Sequence, residues 1–169
     1  QRAAPVVMPL TNIQTPSLQP SNTNGSSKQL TTPVPQPSPT EADPRIMIQR
    51  QAAAFAERFG SYSNEGDYQN ILDLQPFMSQ SMVAWARQYV AASRLKTQSG
   101  TVYNGTTTRA LNTTLSTFDA AKGSATAIVK TQRREVSGQT GIERVYYQDS
   151  VLVFVKESGV WKVDSATWR

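Results

Sequence analysis

The chain has 169 residues, with 17 Lys and Arg against 12 Asp and Glu (net charge +5), and neither histidine nor cysteine. The missing cysteines exclude a disulfide scaffold and any thiolate zinc site; the missing histidines exclude Ser–His and Cys–His nucleophiles and the commonest general base near neutrality. No run of about 18 apolar residues is present to span a membrane, and Arg133–Arg134 is the only adjacent basic pair, so the positive excess reads as solvated surface, with no nucleic-acid partner expected.

Residues 1–42 stand apart. Eight of the ten prolines fall within 1–40, among Ser, Thr, Asn and Gln, with only Arg2 and Lys28 charged. The block "TTPVPQPSPT" favours extended polyproline II and blocks helix and ladder formation. So little apolar surface cannot offset the entropy of ordering, and the segment reads as a disordered, semi-rigid linker or tail. Val6, Val7, Met8, Leu10 and Ile13 offer a docking patch if it orders on a partner. Because the chain begins at Gln1, a processed or truncated product is expected, with any signal or anchor lying upstream.

One α+β domain is expected over 43–169. In "ADPRIMIQRQAAAFAERFG", Asp43 before Pro44 suits an N-cap followed by proline at the first helical position. Ile48, Ala52, Phe55 and Phe59 form one apolar stripe, and Gly60 is placed to end the helix in the left-handed conformation. A short helix follows near 67–74, with Tyr68, Ile71 and Leu72 turned inward, until Pro76 interrupts. A third helix is expected over about 79–95, its core row being Met78, Met82, Trp85 and Tyr89.

From residue 104 the period changes to two. "NGTTTRALNTTLSTF" reads as a strand with Leu111, Thr113 and Leu115 on one face, and "DAAKG" suits a short hairpin loop. "SATAIVKTQRREV", "IERVYYQDSVLVFVKE" and "VWKVDSATW" follow, separated by "SGQTG" and "SG", giving a four-stranded antiparallel meander. In the third strand Val145, Tyr147, Val151, Val153 and Val155 share one parity, and Tyr146, Leu152 and Phe154 the other. Apolar residues on both faces predict that helices cover one side and that a partner or a bulge accounts for the rest.

The stretches "YYQDSVLVFVKESGVWKVDSATW" and "FAERFGSYS" resemble the closing hairpin and first helix of the nuclear transport factor 2-like superfamily, over about residues 45–169. That resemblance implies helices packed into a strongly curved, cone-like four-stranded antiparallel sheet. A proline-rich linker before such a domain is similar in layout to the extracytoplasmic assembly domains of type IV secretion and conjugation machines. It implies a non-enzymatic scaffold in the bacterial periplasm or at the cell surface. Its partners would be other protein subunits, with homo-oligomers among the options, and it would be held to the membrane only through an upstream anchor.

Two site readings follow. The first is an interface on the third strand formed by Tyr146, Leu152 and Phe154. The second, drawn from isomerase-like relatives, is a pocket with Asp149 as a base of raised pKa beside Tyr147, Trp85 and Tyr89. A paired, structural Asp149 is the plainer alternative, with Arg109, Arg133, Arg134 and Arg144 on offer. Asp164 reads as a strand-end residue facing solvent with Lys162, while Trp161 and Val163 face the core. Lys130, Arg133 and Arg134 read as a solvated strand face. No phosphate loop, paired-carboxylate motif or metal-ligand spacing is present, so no catalytic residue, cofactor or metal is expected.

Overall fold

The computed structural model describes residues 43–96 and 102–169. The linker reading of 1–42 lies outside them. Helix α1 (Pro44–Gly60) opens as the sequence predicts: the Asp43 carboxylate accepts from the Arg45 N–H at 2.9 Å, with Pro44 at the first position. Ile48, Ala52 and Phe55 are buried, and Phe59 packs against the core from its edge.

The end of α1 corrects one expectation. Gly60 is the last helical residue, its φ is not positive, and Ser61 caps the helix in an extended conformation. Its smallness is what the fold uses. A Cβ at this position would lie 2.6 Å from Thr108 Oγ1 and 2.7 Å from Trp168 Cζ2.

Residues Asp67 and Tyr68 take positive φ (44° and 59°) and lead into the single-turn helix α2 (Gln69–Leu72), which buries Ile71. A 3-10 turn, Gln75–Phe77, carries Pro76, and helix α3 runs from Gln80 to Lys96. On α3 the buried row is Met82, Ala86 and Val90, with Met78 just before the helix. Those residues recur every four positions, as one helix face requires. Trp85 and Tyr89, expected in that row, sit beside it with more than two-fifths of their surface exposed.

The sheet has five antiparallel strands in chain order, β1 (Tyr62–Ser63), β2 (Asn104–Asp119), β3 (Ser124–Ser137), β4 (Glu143–Glu157) and β5 (Val160–Trp168). The four expected strands are all present. Strand β1 is the addition: two residues pairing with Gly105 and Thr106, too short to reveal any alternation in sequence. Register shifts at Leu111 and Ser116 in β2, and at Asp164 in β5, bend the sheet, since an unpaired extra residue kinks its strand and increases twist. The first of these turns Leu111 out to solvent, away from Thr113 and Leu115. In the β4–β5 hairpin, Ser158 and Gly159 both have positive φ (49° and 84°), the geometry of a two-residue type I′ turn, and Glu157 pairs with Val160.

Helix α1 packs on β2 and β3, and α3 on β5. The core lies between helices and sheet, where Ile48 and Phe55 meet Ala125, Ala127, Val129, Leu152, Phe154 and Val163. No helix among the described residues is long and apolar enough to cross a membrane.

Candidate functional site

Strand parity decides which side chains reach the helix-covered face. In β3 the inward residues are Ala125, Ala127, Val129, Thr131 and Arg133. The last is a guanidinium only 9% exposed, inside the end of the sheet. Its Nη1 donates to Gln148 Oε1 at 2.7 Å and its Nη2 to the Gly60 carbonyl at 3.4 Å. The cation lies 4.3 Å from the centre of the Trp168 ring, within the range of a favourable cation–π contact.

Around it is a cup. Phe59, Gly60, Trp85, Tyr89, Arg133 and Trp168 all line a cavity of about 560 Å³. Its aromatic wall is a run of touching rings: Phe59 to Trp85 at 6.2 Å, and Trp85 stacked on Tyr89 at 5.2 Å. Trp85 and Tyr89 thus contribute a rim rather than core, which explains why the α3 stripe misplaced them. Three buried side-chain polar atoms in the described structure have no hydrogen-bond partner: Thr108 Oγ1, Arg133 Nε and Ser150 Oγ. Thr108 is the cross-strand neighbour of Arg133, and Ser150 that of Trp168, so all three belong to this end of the inner face.

A second concavity, about 670 Å³, runs between α1 and the 3-10 turn. Met47, Ala54, Phe55, Leu74 and Phe77 make it apolar, and Arg50 stands on its wall. The Arg58–Asp73 ion pair closes one side. Hydrogen bonds from Gln69 first, and then from Arg58, hold the Asp73 carboxyl below its ordinary value. Met47 and Phe77 are about half exposed here.

The start of α3 is fastened to β5. Ser79 Oγ accepts from the Met82 N–H at 3.1 Å, as an N-cap side chain does, and donates to Asp164 Oδ1 at 2.6 Å. Ser81 Oγ donates to the same oxygen at 2.5 Å. The Ser79 N–H donates to the Val163 carbonyl at 2.8 Å, and the Glu157 carboxylate accepts from the Gln80 N–H at 3.3 Å. Asp164 is therefore a structural acceptor at a bulge rather than a solvent-facing strand end. Ser79, then Ser81, depress its pKa, with burial opposing them.

The two readings of β4 resolve by parity. Leu152 and Phe154, expected on an outer interface, are fully buried in the core, and Tyr146 is half-buried, 5.7 Å from the Arg133 guanidinium. Even-numbered residues of β4 point to the helices because they pair across the sheet with the inward residues of β3: Phe154 with Ala125, Leu152 with Ala127. The other parity, with Asp149 and Tyr147, faces away from the helices. Tyr147 is 70% exposed and its hydroxyl accepts from Gln132 Nε2. Asp149 stands opposite Lys130 and exchanges backbone hydrogen bonds with Arg169. The expected pocket therefore splits: Trp85 and Tyr89 line the cup, while Asp149 and Tyr147 lie on the far side of the sheet. Arg133, expected on a solvated face, is buried instead, as its parity with Ala125, Ala127 and Val129 requires. Of its basic neighbours, Arg134 pairs with Glu143 and Lys130 is exposed. Among the described residues no group of three acidic, His or Cys side chains is arranged to hold a metal.

No protein-family model matches the chain, and no curated protein matches it. Among solved structures it is similar to an IcmL-like type IV secretion system protein from Legionella pneumophila, with a TM-score of 0.54 and 18% identity, over 74% of this chain and 91% of that one. At that identity the likeness is one of fold.

Proposed function

We propose that this chain is a non-enzymatic structural subunit of a cell-envelope secretion assembly of the type IV kind, working through protein–protein contacts. The observation that carries the reading is the fold likeness to an IcmL-like type IV secretion protein over 91% of that protein's chain. The layout inferred from sequence supports it: a nuclear transport factor 2-like domain after a proline-rich segment over 1–42, which would serve as linker to an upstream membrane anchor on the extracytoplasmic side. The isomerase-like alternative loses its support, because a base at Asp149 needs to share a cavity with Trp85 and Tyr89, and the sheet lies between them.

The contact surface assigned to this role is the groove of Met47, Ala54, Leu74 and Phe77. Its occupant is an apolar segment of another subunit carrying an acidic residue. Arg50 supplies the complementary charge, with no carboxylate within 4.0 Å among the described residues. Large apolar side chains half exposed around a concavity are the usual mark of a binding groove. Deleting the gene in the native host should abolish transfer of secreted or conjugated substrate. Wild-type chain should restore transfer, and Met47→Asp/Phe77→Asp should fail to do so at equal abundance. Unchanged transfer by the deletion strain sinks the functional reading. Full rescue by the double variant sinks only the groove.

A further inference from the structure

We infer that the aromatic cup binds a small organic acid with one negative charge, its carboxylate on Arg133 and its apolar body against Phe59, Trp85 and Tyr89. A charge taken out of water is ordinarily paired and fully hydrogen-bonded. Arg133 departs from that. No carboxylate lies within 4.0 Å of it among the described residues. Protein acceptors take one N–H on Nη1 and one on Nη2, leaving three of the five donors of a guanidinium, including the buried Nε that has no partner. The Trp168 face offsets part of the cost of the charge and supplies no acceptor.

The cup fixes the chemistry of the ligand. Among the described residues Arg133 is its only charged lining residue, which suits a monoanion better than a phosphate dianion. A guanidinium also presents parallel N–H groups that match the two oxygens of a carboxylate. The remaining wall is mostly aromatic, and about 560 Å³ falls in the range of small-molecule sites. The rings of Trp85 and Tyr89, stacked at 5.2 Å and 19°, offer a flat or ring-shaped body a continuous surface.

The test titrates the full chain with cyclohexylacetate and, in parallel, with the neutral cyclohexylacetamide, following the indole N–H signals of its three tryptophans by NMR. Trp85 and Trp168 line the cup, whereas Trp161 packs against Phe118 and serves as the internal control. The acid should saturate with a Kd of about 10–1,000 μM, shifting Trp85 and Trp168 but not Trp161. The amide should bind at least about tenfold more weakly, having lost the charge-assisted bonds. Arg133→Gln should reduce acid binding by a similar factor, and Tyr89→Ala, a change on the exposed rim, should weaken acid and amide alike. Equal binding of acid and amide, no saturation by about 10 mM, or wild-type affinity in a folded Arg133→Gln chain each overturns the proposal. If Arg133→Gln does not fold, the acid–amide comparison on the wild-type chain decides alone.

Discussion

Gly60→Ala separates two explanations for a glycine at the end of a helix. Its φ is not positive, so alanine is conformationally allowed there. Helix propensity alone predicts a gain of up to about 1 kcal/mol. The packing predicts the opposite sign. The added methyl carbon meets Thr108 Oγ1 at 2.6 Å, Trp168 Cζ2 at 2.7 Å and Trp168 Cη2 at 2.8 Å. Neither neighbour has free room: Thr108 is buried in β2, and Trp168 has the Arg133 guanidinium against its ring. Forcing a methyl group into such packing costs about 2 kcal/mol, the middle of a range of about 1–3, so the net change is a loss of about 1–2 kcal/mol once a helix gain of up to about 1 kcal/mol is subtracted. For a domain of this size that lowers Tm by roughly 3–8 °C, readable by circular dichroism, with urea midpoints as a second measure. A double-mutant cycle with Trp168→Phe, which removes the ring bearing Cζ2 and Cη2, should recover about 0.5–1.5 kcal/mol of the penalty as coupling. A Gly60→Ala chain as stable as wild type, or more so, refutes the argument that Trp168 and Thr108 close on this residue.

Asp164→Asn tests the fastening of α3. The native pKa of Asp164 is depressed below an unfolded value of about 3.9, so its stabilisation is complete above that value and disappears as pH falls through the native one. The variant should therefore be less stable by about 0.5–1.5 kcal/mol near neutral pH, a partly exposed site being partly screened, and the gap should narrow as pH falls below the unfolded value of about 3.9 and through the depressed native one; parallel stability–pH curves contradict the assignment. Parity in β4 is tested by a pair of truncations followed by urea unfolding. Phe154→Ala should cost about 3–5 kcal/mol, and Tyr147→Ala less than about 0.5 kcal/mol. Comparable losses at both positions would reverse the faces.

Much of the fold was legible because local signals agreed with one another. Asp43–Pro44 marked the start of α1, and Ser158–Gly159 set the register of the final hairpin. The orientation of β4 was harder. Its outward residues are chiefly valines and its inward ones include Leu152 and Phe154, so apolar residues occupy both faces, and β-branched side chains suit a half-exposed pleat as well as a core. Strand β3 held the answer: Lys130 fixes one parity as outward, and Ala125, Ala127 and Val129 fix the other as inward. Carrying that assignment to β4 requires the register across residues 138–142, where Lys130 meets Asp149. That loop has no two-residue turn signature from which to read it. Strand β1 and the bulge at Leu111 were hidden for a related reason, since each depends on pairing with a distant strand rather than on local pattern.

Arg133 shows where composition misleads and periodicity does not. Beside Lys130 and Arg134 it looks like one more surface cation, yet it continues the inward row of β3 while Arg134 turns out to Glu143. A sheet ending in a buried guanidinium needs something to receive its donors. Among the described residues, Gln148, the Gly60 carbonyl and the Trp168 face supply only part of this. The helix that carries Trp85 and Tyr89 is tied to the sheet at its first turn, through Ser79, Ser81 and Asp164. Loosening that first turn frees the rim before it disturbs the core, because Met82, Ala86 and Val90 remain the helix's buried row. Asp164→Asn should thus weaken cyclohexylacetate binding by severalfold at neutral pH while leaving the acid-over-amide preference, which belongs to Arg133, intact.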